Sequence, residues 1–288
     1  LNRTKIKTKE ANQRSEITLL FLFPQICIYN IYLHSFKELP SQKEKPLMRD
    51  THVSSADLSG SCLKEELLKE KLLKPARDIR SILRWGYPKF ATIRFVADHF
   101  QLSLEERYIL TRVIMPPDRI VSRINKKVAC TGIKDRDLLL DGYNVLLSVD
   151  SLLKKEPMWF CDDGYIRDTR YYFSKAKQAE DIEEALNAVL KFLSETGPKS
   201  VIFLLDAQIS RSGELAGFIR HKMKEYGISG EARTSKIADF ELKKEGGNPE
   251  KKIVLATSDG IVIDSVLKVL DIPACLMEKM GIEPIRLY

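Results

Sequence analysis

The sequence predicts an α/β protein: a mostly parallel sheet flanked by helices, preceded by a small all-α domain. Three observations carry this expectation. Short continuous apolar runs at residues 138–140, 201–205 and 253–256 stand just before Asp141, Asp206 and Asp259, and runs of that length suit strands buried on both faces. Helical patterns at residues 182–193, 213–226 and 261–270 fall between or after them, and such alternation marks parallel βαβ units. Upstream, Leu63, Leu67, Leu68, Leu72 and Leu73 recur at helical spacing between Lys and Glu.

A length of 288 residues suggests about two domains. With 44% hydrophobic and 30% charged residues, the chain is neither disordered nor fibrous. The net charge of +7 is uneven: +3 over residues 1–63, +8 over 64–134 and −4 over 135–288. A basic module therefore precedes an acidic one. The first favours polyanions; the second, if its carboxylates cluster, favours hard cations. Five Cys are too few for a disulfide scaffold. No two have metal-ligand spacing, which excludes a zinc ribbon or a C-x-x-C redox site. Cys161 and Cys275 read as small buried residues. H-E-x-x-H and the Gly-rich phosphate-binding signatures are absent.

Residues 1–62 read as a leader, disordered or from an over-extended gene start. Its apolar stretch, residues 17–33, is interrupted by Pro24, Gln25 and Asn30, which makes it a poor membrane span.

The expected basic helical domain covers residues 63–133. Its first helix continues through Ile79, Ile82 and Leu83 to Trp85, and Gly86-Tyr87-Pro88 breaks it. A second helix is expected at residues 89–100, with Phe90, Ile93, Val96 and Ala97 apolar. Ser103 and Glu106 form a capping-box pattern opening a third helix, with Leu104, Tyr108 and Ile109 as its buried stripe. Pro116-Pro117 ends it, and a fourth short helix runs to about residue 127. Helices joined by a tight turn match a helix-turn-helix only weakly, and the helix after the turn is not strongly basic, so major-groove reading is not expected. Arg77, Arg80, Arg84, Lys89 and Arg94 would line a phosphate-contacting face or an ordinary solvated one.

The α/β domain is expected at residues 134–288. Ligands of open α/β sheets bind outside the carboxyl ends of the strands. Asp141, Asp206 and Asp259 fall at such ends, where neighbouring strands would bring them together. Clustered carboxylates repel one another and are tolerable around a divalent cation, for which Mg²⁺ or Mn²⁺ suits oxygen ligands. The competing role for each Asp is a helix N-cap.

Asp141-Gly142-Tyr143-Asn144 resembles the D-G-x-N opening of the NYN branch of the PIN-like nucleases. Leu205-Asp206-Ala207, Lys236-Ile237-Ala238-Asp239 and Ala256-Thr257-Ser258-Asp259 resemble later elements of that branch in the same order, over about 150 residues. The resemblance implies a three-layer PIN-like fold and a metal-dependent ribonuclease. Asp141, Asp239 and Asp259 would be its main metal ligands and Asp264 a weaker one. Asp206 would be a ligand or an acceptor behind the ligands. Asn144 would orient the scissile phosphate or a metal-bound water. Thr257 and Ser258 would bond carboxylates or phosphate, and Arg211 would meet the nucleic-acid backbone or remain a surface residue. Gly86-Tyr87-Pro88, Leu102-Ser103, residues 163–168 and residues 210–215 resemble recurring phrases of a largely archaeal family of unknown function, in which a helical domain precedes the PIN-like one.

Residues 159–170 depart from the compact nuclease pattern. Asp162-Asp163-Gly164 reads as a turn, in either a substrate-selecting flap or a structural hairpin. Tyr171-Tyr172-Phe173 would pack, or stack bases. The expectation is a cytosolic RNA-cleaving enzyme with no membrane association, RNA as partner and DNA as an alternative. Its rivals are a catalytically inactive PIN-like scaffold for RNA or protein, and a small-molecule phosphatase using the same acids.

Overall fold

In the computed structural model, which describes residues 57–169 and 182–288, six strands form one sheet in the order β1-β8-β7-β2-β5-β6. These are β1 (Lys127–Val128), β2 (Asp137–Asp141), β5 (Ser200–Asp206), β6 (Gly230–Ser235), β7 (Val254–Ala256) and β8 (Val269–Leu270). Every pairing in this sheet is parallel. β3 (Met158–Phe160) and β4 (Ile166–Asp168) pair antiparallel as a separate hairpin. The helices are α1 (Asp57–Arg84), α2 (Lys89–His99), α3 (Leu104–Val113), α4 (Pro117–Ile124), α5 (Gly142–Leu153), α6 (Glu183–Thr196), α7 (Ser212–Glu225), α8 (Ala238–Gly246), α9 (Gly260–Ser265) and α10 (Ile272–Met280). The leader and Tyr171-Tyr172-Phe173 lie outside the described residues.

Alternation along the strands explains the layers. Leu138 and Leu140 of β2 join Val201, Phe203 and Leu205 of β5 in a core with α5, α6, α7 and α10. Leu139 and Leu204, pointing the other way, pack with Leu255, Val269 and residues of α8 and α9. The sheet is thus covered on both faces, as its continuous apolar strands require. A third cluster joins α1, α2 and α3 and is completed by Trp159 and Cys161 of the hairpin region and by Leu287 near the chain's end. The described residues form one compact unit. Among the described residues no helix is long and apolar enough to cross a membrane.

Strand order places the site. From β2 the chain moves outward to β5 and then β6, on one side. It returns through α8 to β7 on the other side of β2. The order therefore reverses at β2, and its carboxyl end beside β7 is the topological switch point, where sheets of this kind leave a crevice.

Several local expectations hold. Ser103 Oγ accepts from the Glu106 N–H at 3.2 Å, and Glu106 Oε2 accepts from the Ser103 N–H at 2.7 Å, closing the capping box. Pro117 occupies the first turn of α4. The turn at Asp162-Asp163-Gly164 is the hairpin tip, with Gly164 at φ 81°. Its core contacts make the hairpin a structural bridge to the helices.

Other expectations are corrected. Leu104 and Phe90 are exposed, while Glu106 is buried in α3 and bonds Lys71 at 2.6 Å. The helix expected at residues 261–270 stops at Ser265, and Val269–Leu270 becomes β8; its apolar spacing fits either state once β-branched residues dominate. β6 was not anticipated because this edge strand, Gly-Glu-Ala-Arg-Thr-Ser, buries only Ala232 and Ser235. Cys275 is not a lone buried thiol: it forms a disulfide with Cys130, bridging residues too far apart in sequence for spacing to reveal.

Gly142 follows Asp141 where α5 leaves β2 across β5. A Cβ there would stand 2.5 Å from Leu205 Cδ2 and 3.0 Å from the Leu204 carbonyl oxygen. Gly142→Ala is expected to cost about 1–3 kcal/mol by overpacking. Gly213→Ala in α7, with nothing within 4 Å of its added methyl, is expected to be neutral or stabilising by about 0.5–1 kcal/mol. Thermal melting of the two variants checks this, and equal melting shifts would refute the close-approach argument.

Candidate functional site

The crevice at β2 and β7 gathers carboxylates. Asp141 ends β2 and precedes α5. Asp259 follows β7 and caps α9, its Oδ1 accepting from the Ile261 N–H at 2.7 Å. Asp206 ends β5 and accepts from the Gln208 N–H at 2.8 Å. Asp239 lies in the first turn of α8. Asp259 and Asp206 thus each commit one oxygen to a local turn, and the backbone N–H of Asn144, in the first turn of α5, favours the ionised form of Asp141. The N-cap role that competed with a site role therefore accounts for part of each of these carboxylates.

A polar bracket sets Asp141 and the loop after β7. Thr257 Oγ1 donates to Asp141 Oδ2 at 2.9 Å and accepts from the Asp259 N–H at 3.1 Å. Asn144 Oδ1 accepts from the Ser258 N–H at 2.8 Å and from Ser258 Oγ at 3.0 Å. Thr257 and Ser258 are buried. The D-G-x-N and T-S-D segments are thus two halves of one structure, tying the start of α5 to the end of β7.

The acids act on one another. Burial first, then the charge of Asp259 and more weakly that of Asp239, push the Asp141 carboxyl up to about 7, against the lowering effect of the Thr257 hydrogen bond. Asp239 is also raised, by burial and by the charges of Asp259 and Asp206, with Lys243 opposing. The oxygen-only donors suit a hard divalent cation. Among the described residues, no group of three His, Cys, Asp or Glu side chains stands close enough to hold a metal ion.

Two sequence candidates stand apart from this group. Asp264 Oδ1 accepts from Arg123 Nε at 2.8 Å, and Oδ2 accepts from Arg119 at 2.7 Å. Burial would raise its carboxyl, yet the Arg123 bonds hold it below the usual range. Asp264 is thus engaged by α4. Arg211, ahead of α7, directs its Nε to Glu214 Oε2 at 2.9 Å.

The structure adds a buried support that sequence reasoning missed. Asp163, at the hairpin tip, accepts from Arg167 at 2.7 and 2.8 Å and from Arg123 at 2.7 Å. Both arginines also grip the loop after β7: Arg167 Nε donates to the Ser258 carbonyl at 2.8 Å, and Arg123 Nη2 to the Gly260 carbonyl at 3.0 Å. A Cβ on Gly260 would lie 2.8 Å from the Arg123 guanidinium, so this glycine admits the clamp. Burial alone would raise Asp163, but the two guanidiniums hold it well below the usual carboxylate range. Asp163 and Arg167, four positions apart in the hairpin, were the available signal; Arg123 had none.

Arg167→Met, which strands a buried carboxylate, is expected to lose about 3–5 kcal/mol of stability. Arg119→Met at the half-exposed end of the same network should lose under about 1 kcal/mol. Denaturant unfolding distinguishes the two, and similar losses would show that the buried clamp carries no special load. Asp141 gives a pH test in chelator. Its carboxyl is raised in the fold, so its contribution is full below pH ~4 and is lost as pH rises toward about 7. Asp141→Asn should therefore match the wild type near pH 4 and exceed it at pH 8 by roughly 1–3 kcal/mol. Parallel melting profiles across that range would contradict the repulsion.

Comparison with known proteins gives the chain a family. A model described as "Protein of unknown function (DUF434)" matches residues 71–126, covering the second half of α1 and all of α2, α3 and α4. A second, "Domain of unknown function (DUF5616)", matches residues 130–275, which contain every carboxylate of the crevice. The "Uncharacterized protein MJ0935" of Methanocaldococcus jannaschii is 36% identical over 192 residues, 67% of this chain and 88% of that protein. No solved structure matches. Five of the six strands of the sheet and all the acids of its crevice thus fall within one matched family, and the chain belongs to the family of the domain of unknown function DUF5616.

Proposed function

We propose that the protein is a metal-dependent ribonuclease of the PIN-like kind, hydrolysing phosphodiester bonds at its Asp cluster while the helical module helps to hold RNA. The observation that carries this reading is the position of Asp141. It ends the strand at the switch point, and the charges of Asp259 and Asp239 oppose its ionisation. Proteins keep such like-charge groups at functional sites, where a ligand relieves the repulsion.

Asp141, Asp239 and Asp259 would hold Mg²⁺ or Mn²⁺. A bound ion of this kind supplies an activated water and neutralises charge on a phosphoryl group. The protein's own residues do the positioning. Thr257 fixes Asp141 Oδ2, and Asn144 fixes Ser258, so the Thr257–Asp259 backbone stays set against α5. Arg123 and Arg167 hold the outer side of that loop. Asp206 acts from the next strand through its charge on Asp239.

The test is cleavage of end-labelled single-stranded and structured RNA with Mg²⁺ or Mn²⁺, comparing the wild type with Asp141→Asn, Asp259→Asn. Metal-dependent cutting, reduced at least 100-fold in the double variant, is expected. RNA binding without cutting in both proteins would replace the nuclease with a binding scaffold. Undiminished cutting by the variant would remove the Asp mechanism.

A further inference from the structure

The corner between α1 and α2 exposes aromatic rings on a module whose other apolar side chains are largely packed. Trp85, Tyr87 and Phe90 are 75%, 60% and 64% exposed, and Phe95, five positions further along α2, is 69% exposed. Neighbouring Leu83, Ile93 and Val96 are at most 4% exposed, so the rings are not left out by loose packing. Gly86, at φ 84°, makes the turn that separates Trp85 from Tyr87.

Cations accompany the rings. Arg77, Arg84 and Arg94 are exposed and make no ion pair among the described residues, and Arg94 follows Phe90 by one helical turn. The other two basic residues of the expected face have different duties. Arg80 bonds Asp162 at 2.7 Å and the Leu287 carbonyl at 2.6 Å. Lys89 reaches Met115 Sδ at 3.2 Å, and burial together with Arg167 and Arg123 lowers its ammonium to about 8.

We propose that this corner binds single-stranded nucleic acid, with unpaired bases stacking on Trp85, Tyr87 and Phe90 and phosphates meeting Arg84 and Arg94. Exposed rings beside unpaired guanidiniums match a strand whose base faces are free and whose backbone is anionic, and every base offers a face to stack. A duplex hides those faces. The net charge of +8 over residues 64–134 favours this occupant over an apolar protein surface. The corner also connects to the acidic crevice. Met115 Sδ contacts both Lys89 and Arg123, and Arg123 bonds the Gly260 carbonyl beside Asp259. The proposal deepens the nuclease reading by naming its substrate as single-stranded, and rests on that reading only for the use of the bound strand.

The two tryptophans provide a direct readout, because Trp159 is fully buried and Trp85 is exposed. The full chain is titrated in EDTA with a 12-nucleotide oligouridylate, and separately with a 12-base-pair RNA duplex, while tryptophan emission is followed. Quenching by the single strand, much weaker with duplex and lost in Trp85→Phe, is expected. Tyr87→Ala, Phe90→Ala should weaken binding at least tenfold with an unchanged melting temperature, as both rings are exposed. The proposal is overturned if the Trp85→Ala, Tyr87→Ala, Phe90→Ala protein binds as tightly as wild type. Equal affinity for duplex overturns it, as does absence of binding. A self-association abolished by the triple variant, without oligonucleotide binding, would assign the corner to a second copy of the chain. Quenching without cleavage would sink the nuclease reading alone, and cleavage with an indifferent aromatic corner would sink this one alone.

Discussion

The carboxylate of Asp163 is wholly buried and would be untenable without Arg123 and Arg167. Ionised groups leave water at a cost of several kcal/mol, and only close pairing with further hydrogen bonds offsets it. That requirement fixes three distant segments at one point. Arg123 comes from α4, Asp163 and Arg167 from the hairpin, and their remaining donors bond the backbone of the loop after β7. The helices, the hairpin and the acid-bearing loop cannot shift independently without exposing or unpairing a buried charge. This tie also explains why the helical cluster contains Trp159 and Cys161. The hairpin packs Trp159 and Cys161 into the helical core and Met158 and Ile166 into the core of the sheet.

Around this fixed point the crevice behaves oppositely. Its carboxylates are brought together by strand order and raise one another's affinity for protons. The backbone beneath them is held by neutral bonds, from Thr257 to Asp141 and from Ser258 to Asn144. A bracket of hydrogen bonds thus lies under mutually repelling groups. The disulfide between Cys130 and Cys275 lies elsewhere, joining the approach to β2 with α10. It constrains the chain across most of the α/β region and shortens the loops open to the unfolded state.

Legibility in the sequence followed the kind of constraint. β2, β5 and β7 were readable because burial on both faces demands unbroken apolar runs. β6 and β8 were not, since an edge strand tolerates polar residues and a two-residue strand carries no period. The capping box of α3 was readable because its two partners are three residues apart. Asp264 illustrates the opposite. Its place near Asp259 in sequence suggested shared work, yet Arg119 and Arg123, about 140 positions away, engage it.

By itself the sequence determined the local outcomes: the alternating α/β order, the helix starts at Ser103 and Pro117, and the placing of Asp141, Asp206 and Asp259 at strand ends. Each depends on interactions within a few residues or on one-dimensional burial patterns. Tertiary structure alone decided which acids share a crevice, which are neutralised by arginine, and which aromatic rings remain in water. Those outcomes depend on strand order and on partners far apart in the chain. Charge repulsion and desolvation act over a few ångströms in space, and no spacing along the sequence encodes that distance.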